Sequence, residues 1–179
     1  MTEEQFRDKL LSKIRSLKIA EQIVYPAATV ANASMLERLF EKGIGGDGAK
    51  VGSYSTEPMY ASKNQFRNTG AFKAQGKTGK KKEDRKSMYL AGGYKQLRQV
   101  QGYESSYVNL FYYGDLYGEM NKLTVEKDTV VVRLSREINK KKVEGLREKY
   151  GKETFQHTKK EKEQFAKDVS KMLANYFSN

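Results

Sequence analysis

A chain of 179 residues with 37% apolar and 31% charged side chains has room for one domain with a real core and is short for two. It contains no cysteine, which excludes disulfides, thiolate metal sites and thiol catalysis. One histidine and a net charge of +12 turn attention from side-chain catalysis towards an acidic or polyanionic partner.

Taken in order, the chain opens with Thr2 and Gln5 at capping-box spacing, and Phe6, Leu10, Ile14 and Leu17 then fall on one stripe of a first helix. Pro26 disfavours helical geometry in the residue before it and suits the first turn of a new helix, so the first helix is expected to end near Val24. The second carries Val30, Met35, Leu36, Leu39 and Phe40 and stops at Gly43, Gly45 and Gly46. From Gly43 to Gly102 neither helical nor strand periodicity is sustained. Turn chemistry and tyrosines at 54, 60, 89 and 94 stand there instead, and a functional loop is expected. Order returns with a strand at Val108–Phe111, a short helix from Gly114 to Met120, and a strand at Thr129–Leu134 paired with Leu123–Val125. A helix at Lys140–Tyr150 ends at Gly151. A second capping box, Thr158 and Glu161, starts a last helix striped by Phe165, Val169, Met172, Leu173, Tyr176 and Phe177.

The fold expected is α+β: a small antiparallel sheet packed with N- and C-terminal helices, and a long basic arm inserted between the halves. A single domain, 1–179, divides into a helical part at 2–42, an extended basic arm at about 43–103, and a sheet with C-terminal helices at about 104–179. The acidic start Met1-Thr2-Glu3-Glu4 and the lack of a membrane-length apolar run give the expectation of no signal peptide, no membrane and a cytoplasmic site of synthesis.

Charge is concentrated in the arm. Between Lys63 and Arg98 stand eleven basic side chains against Glu83 and Asp84, so nine of the twelve net charges lie in one fifth of the chain. Gly76-Lys77-Thr78-Gly79-Lys80-Lys81-Lys82 has no apolar residue with which to offset the entropy of ordering. The interaction residues expected from this pattern are Lys73, Lys77, Lys80, Lys81, Lys82, Arg85, Lys86, Tyr94, Lys95 and Arg98. Interleaved with aromatic residues, they suit a phosphate backbone with exposed bases, and equally an acidic protein surface.

Catalytic, cofactor-binding and metal-binding residues are not expected. His157 directly precedes a capping box and reads as a helix-entry residue. The acids interleave with lysines as on a solvated helix face. The Gly-Lys-Thr triplet at 76–78 lacks the earlier glycine of a phosphate loop, since position 71 is Ala.

The order of several short motifs resembles the virion morphogenesis proteins of tailed bacteriophages. These motifs are Leu39-Phe40-Glu41-Lys42-Gly43, Val51 to Thr56, Gly76 to Lys80, Gly92-Gly93-Tyr94-Lys95-Gln96-Leu97-Arg98, Val108-Asn109-Leu110, Gly114-Asp115-Leu116, and Gly145-Leu146 through Tyr150-Gly151-Lys152 and Phe155 to Thr158 and Glu161. The likeness runs from about Leu39 onward; Tyr113 departs from the Ser or Thr common in that family before the Gly-Asp-Leu motif. It implies a non-enzymatic neck or tail-completion protein, a homo-oligomeric ring joining head to tail. Its neighbours would be the portal or adaptor on one side and tail tube or tail hub proteins on the other, with packaged DNA in the lumen. The location implied is the virion, with the host cytoplasm before assembly. The alternative from the residues alone is a free nucleic-acid-binding module using the Lys63–Arg98 segment.

Overall fold

Helix α1 (Glu3–Ser16) of the computed structural model, which describes residues 2–73 and 87–178, begins with the expected capping box. The Gln5 N–H donates to Thr2 Oγ1 at 3.3 Å and the Thr2 N–H to Gln5 Oε1 at 2.9 Å. It ends before Val24, contrary to expectation, because Leu17 turns to extended geometry with ψ 111°. The chain re-enters helix through a π turn at Ala20–Val24 and continues as α2 (Tyr25–Leu36), which has Pro26 in its first turn, then a second π turn at Glu37–Glu41. Gly43, at φ +64°, ends the run. A side chain there would collide with the Tyr107 ring and the Val108 carbonyl, so glycine is required.

Two stretches inside the expected arm are regular. Strand β1 (Met59–Ser62) pairs antiparallel with β2 (Ser87–Leu90), Tyr60 opposite Tyr89, and α3 (Gly93–Val100) follows. Four-residue strands with partners distant in sequence leave almost no periodic signal, which is why this region read as loop. Ala61, Met88 and Leu90 pack with Phe66 and Leu97 into a small core of their own. The basic insertion is thus the segment between β1 and β2, entered through 3₁₀ turns at Lys63–Gln65 and Thr69–Ala71.

The C-terminal half runs α4 (Asp115–Met120), β3 (Leu123–Glu126), β4 (Thr129–Val132), α5 (Glu137–Tyr150), a 3₁₀ turn at Lys152–Phe155 and α6 (Lys159–Ser178). The architecture is α+β as expected, but the sheet is two separate antiparallel pairs, β1-β2 and β3-β4. The main core joins both ends of the chain: Met35, Leu36, Leu39 and Phe40 from the first helical run pack with Leu116 and Met120, flanked by Leu134, Val143, Leu146 and Phe155. Val30, expected on that stripe, is instead 53% exposed.

Arg38 welds the two ends. Its Nε donates to Glu161 Oε1 at 2.8 Å, Nη1 to the Ile44 carbonyl at 2.7 Å, and Nη2 to the Gln156 carbonyl at 2.8 Å. Glu161 is held in turn by the expected capping box with Thr158, accepting the Thr158 N–H at 2.7 Å. Arg38 and these donors keep the Glu161 carboxyl below its ordinary pKa, outweighing partial burial. No helix among the described residues is long and apolar enough to cross a membrane.

Leu39 is fully buried at the centre of the main core. Leu39→Ala is expected to lower unfolding free energy by about 2–5 kcal/mol in denaturant titrations. A loss no larger than that of an exposed-site control would show that the two ends do not share a core.

Candidate interaction site

Of the residues singled out from the sequence, Lys77, Lys80, Lys81, Lys82, Arg85 and Lys86 lie outside the described residues. Lys73 is exposed after the second 3₁₀ turn. Lys95 is half-buried on α3, its N–H donating to the Ser55 carbonyl at 3.0 Å. Tyr94 and Arg98, by contrast, converge on one place.

Arg98 is 1% exposed, which corrects its expected role as a surface contact. Its guanidinium is spent inside the subunit. Nε donates to the Glu104 carbonyl at 2.6 Å, Nη1 to the Phe111 carbonyl at 2.9 Å and Nη2 to Asn109 Oδ1 at 2.9 Å. It also lies 4.4 Å from the centroid of the Tyr54 ring, a cation–π contact. The third row of a short helix places Arg98 beside Leu97, so one face of α3 closes the small core and the adjoining face drives a cation into the next loop.

That loop is the segment expected to form a strand at Val108–Phe111. It does not, because its hydrogen-bonding groups are claimed elsewhere. The Val108 N–H donates to the Gly52 carbonyl at 3.1 Å, the Phe111 carbonyl faces Arg98, and Asn109 Oδ1 accepts from Tyr54, Arg98 and the Phe111 N–H. Leu110 takes a left-handed conformation, φ 54°, to present these groups inward. A buried arginine that reads carbonyls thus replaces a ladder that a neighbouring strand would have read.

Above this network lies a cavity of about 550 Å³. Tyr54 and Tyr94 (centroids 5.5 Å apart) and Tyr112 form one wall, and Phe40 with Tyr117 (5.4 Å) another. Helix α5 supplies the rim with Lys141, Lys142 and Lys149, along with Gly145, Leu146 and Tyr150. The start of α5 is set by Glu119, which accepts from Ser135 Oγ at 2.9 Å and the Arg136 N–H at 3.2 Å. Asp115, the acid at the mouth, pairs with Arg136 at 3.1 Å. The three rim lysines are exposed. The result is an aromatic hollow with a cationic lip. A pocket of this size and lining takes a side chain or two of a partner, or a planar ligand.

Burial raises the Tyr54 and Tyr94 phenols above their ordinary pKa, against the opposing pull of Arg98. Burial likewise pushes Tyr112 up to about 12. No three His, Cys, Asp or Glu side chains gather as for a metal ion among the described residues. His157 directly precedes the Thr158 cap of α6, as expected, and burial holds its pKa below the ordinary value. Sequence reasoning missed Tyr54, Asn109, Tyr112 and the α5 lysines; the signal within reach was five tyrosines between 103 and 117 in a chain holding twelve.

Two measurements check this site. Arg98→Met retains the stem but leaves the Glu104 and Phe111 carbonyls without their donor and takes one of three from Asn109 Oδ1, so unfolding free energy should fall on the order of 3 kcal/mol. A change within experimental error would mean the network contributes nothing. A raised tyrosine pKa makes the folded chain hold its proton longer than the unfolded one, so the Tyr112 contribution is intact below pH 10 and is lost as pH rises towards about 12. Tyrosinate absorbance should show a late-titrating component in the folded protein that diminishes in Tyr112→Phe. No known protein family, curated protein or solved structure matches this chain.

Proposed function

We propose that this chain is a structural, non-enzymatic subunit of a tailed-bacteriophage virion, located at the neck. There it forms a ring that joins the portal or adaptor to tail tube or tail hub proteins. The observation that carries the reading is α1. It is a helix with a complete N-terminal capping box whose apolar stripe, Phe6 (55% exposed), Leu10, Leu11 and Ile14 (52%), stays exposed in its own subunit. A helix with one apolar face acquires most of its stability by covering that face, and an exposed patch of this kind marks a surface for another protein. The sequence likeness to virion morphogenesis proteins supplies the class of assembly, and a net charge of +12 suits a ring around packaged DNA. The subunit is made in the host cytoplasm and ends in the virion.

A second reading, a free nucleic-acid-binding module, draws on a different observation. Tyr60 and Tyr89 stand directly opposite each other on the exposed face of the β1-β2 pair, ring centroids 5.1 Å apart, at the root of the basic insertion. Two solvent-facing rings are a platform on which bases stack.

Mass spectrometry of purified virions should find the protein at ring-like copy number, and loss of its gene should leave unjoined heads and tails. Absence from virions would end the first reading. For the second, the isolated monomer should bind single-stranded oligonucleotide with steep salt dependence, weakened by Tyr60→Ala with Tyr89→Ala. No binding at low salt would remove it.

A further inference from the structure

The uncovered helix and the aromatic cavity lie at opposite ends of one helical run. The run from Ala20 to Glu41 is about 33 Å long at the α-helical rise. Helix α1 leaves its first end at Leu17, and its last turn is tethered to the far end of α6, where Tyr176 lies 3.3 Å from Ser16 Oγ. Phe40, near the run's other end, lines the cavity. A subunit with an unsatisfied apolar projection at one end and an unfilled apolar hollow at the other has the makings of a head-to-tail contact, the kind that closes into a ring when the rotation between copies allows it.

We propose that the cavity bounded by Tyr54, Tyr94, Tyr112 and helix α5 receives the N-terminal half of α1 from a second copy of this chain. This deepens the ring reading and rests on it. Two features select that occupant. The first is charge: the tip of α1 carries Glu3 and Glu4, both exposed, with Glu4 3.8 Å from Arg7 of its own helix, and the lip carries Lys141, Lys142 and Lys149, while Asp115, the acid at the mouth, is paired with Arg136. Acid thus meets base as Phe6 and Leu10 enter an aromatic hollow.

The second feature is Gly145. Glycine in mid-helix costs stability, and the usual compensation is close packing within the fold. A side chain at Gly145 would meet nothing within 4 Å, although the residue lines the cavity. Its missing side chain leaves room that the subunit itself does not use, and an incoming helix does.

The full chain at increasing concentration, followed by sedimentation or light scattering, tests the assignment. The wild type should associate in a concentration-dependent way. Leu10→Asp alters an exposed donor residue at the helix-propensity cost of an aspartate, and Gly145→Leu fills the acceptor with a better helix former, so the first should unfold slightly below the wild-type temperature and the second at or above it. Each alone should remain monomeric. Mixed, they should form a dimer and nothing larger, because the Gly145→Leu copy still offers a sound α1 and the Leu10→Asp copy a sound cavity. Glu3→Lys with Glu4→Lys should weaken association tenfold or more, and Lys141→Glu with Lys142→Glu should restore it.

Wild-type behaviour of both single variants, or a wild type that stays monomeric throughout, overturns the proposal. So does Gly145→Leu that loses oligonucleotide binding while still self-associating, since the hollow would then hold a base. Presence of the protein in purified virions is decided independently, so a neck subunit that assembles through another surface would be recognised as such.

Discussion

The buried guanidinium of Arg98 is the constraint around which the middle of the molecule is built. A cation at 1% exposure without a carboxylate partner is tolerable only if its nitrogens find acceptors, and here each of the three does, on two carbonyls and an amide oxygen, while the Tyr54 ring covers one face. To supply those acceptors the chain from Glu104 to Phe111 forgoes strand pairing and bends through a left-handed Leu110. The bend brings Phe111, Tyr112 and Tyr113 round towards α5, and the space left between them is the aromatic cavity. One charge, buried for structural reasons, thereby shapes a surface feature.

A second arginine determines where that feature sits. Arg38, at the end of the first helical run, bridges Glu161 and two backbone carbonyls, so α6 and the segment leading into it close over the first helical run. The two arginines act alike: each uses a planar, multi-donor group to gather backbone oxygens from segments that share no sheet. With strands of four residues and two separate pairs, the sheets contribute little continuous framework, and side-chain-to-carbonyl contacts do the joining.

The molecule has a packed centre and two exposed apolar ends. The centre shares Leu36, Leu39 and Phe40 with Leu116 and Met120. At one end α1 offers apolar side chains without a cover; at the other an apolar hollow with a lysine lip stands open. Such asymmetry is a poor design for a solitary chain and a useful one for a subunit, since the apolar surface it exposes is the surface another copy or neighbour would bury.

What could be read from the sequence was local. Thr2 with Gln5 and Thr158 with Glu161 announce helix starts because capping involves neighbours three residues apart, and the β3-β4 hairpin declares itself by β-branched content across a tight turn. The α+β class follows from these signals. Tertiary structure alone decided the rest. Periodicity places Phe6, Leu10 and Ile14 on one stripe but cannot say that nothing covers it. Composition counts Arg98 among the surface cations, yet the carbonyls that bury it belong to a loop that Arg98, Tyr54 and Gly52 hold together. Strand β1 likewise has its partner beyond a long insertion, and the cavity residues come from five separate parts of the chain. Local hydrogen bonds and propensities are written in adjacent residues; burial, and the long-range bonds it makes obligatory, depend on segments that only the folded chain brings together.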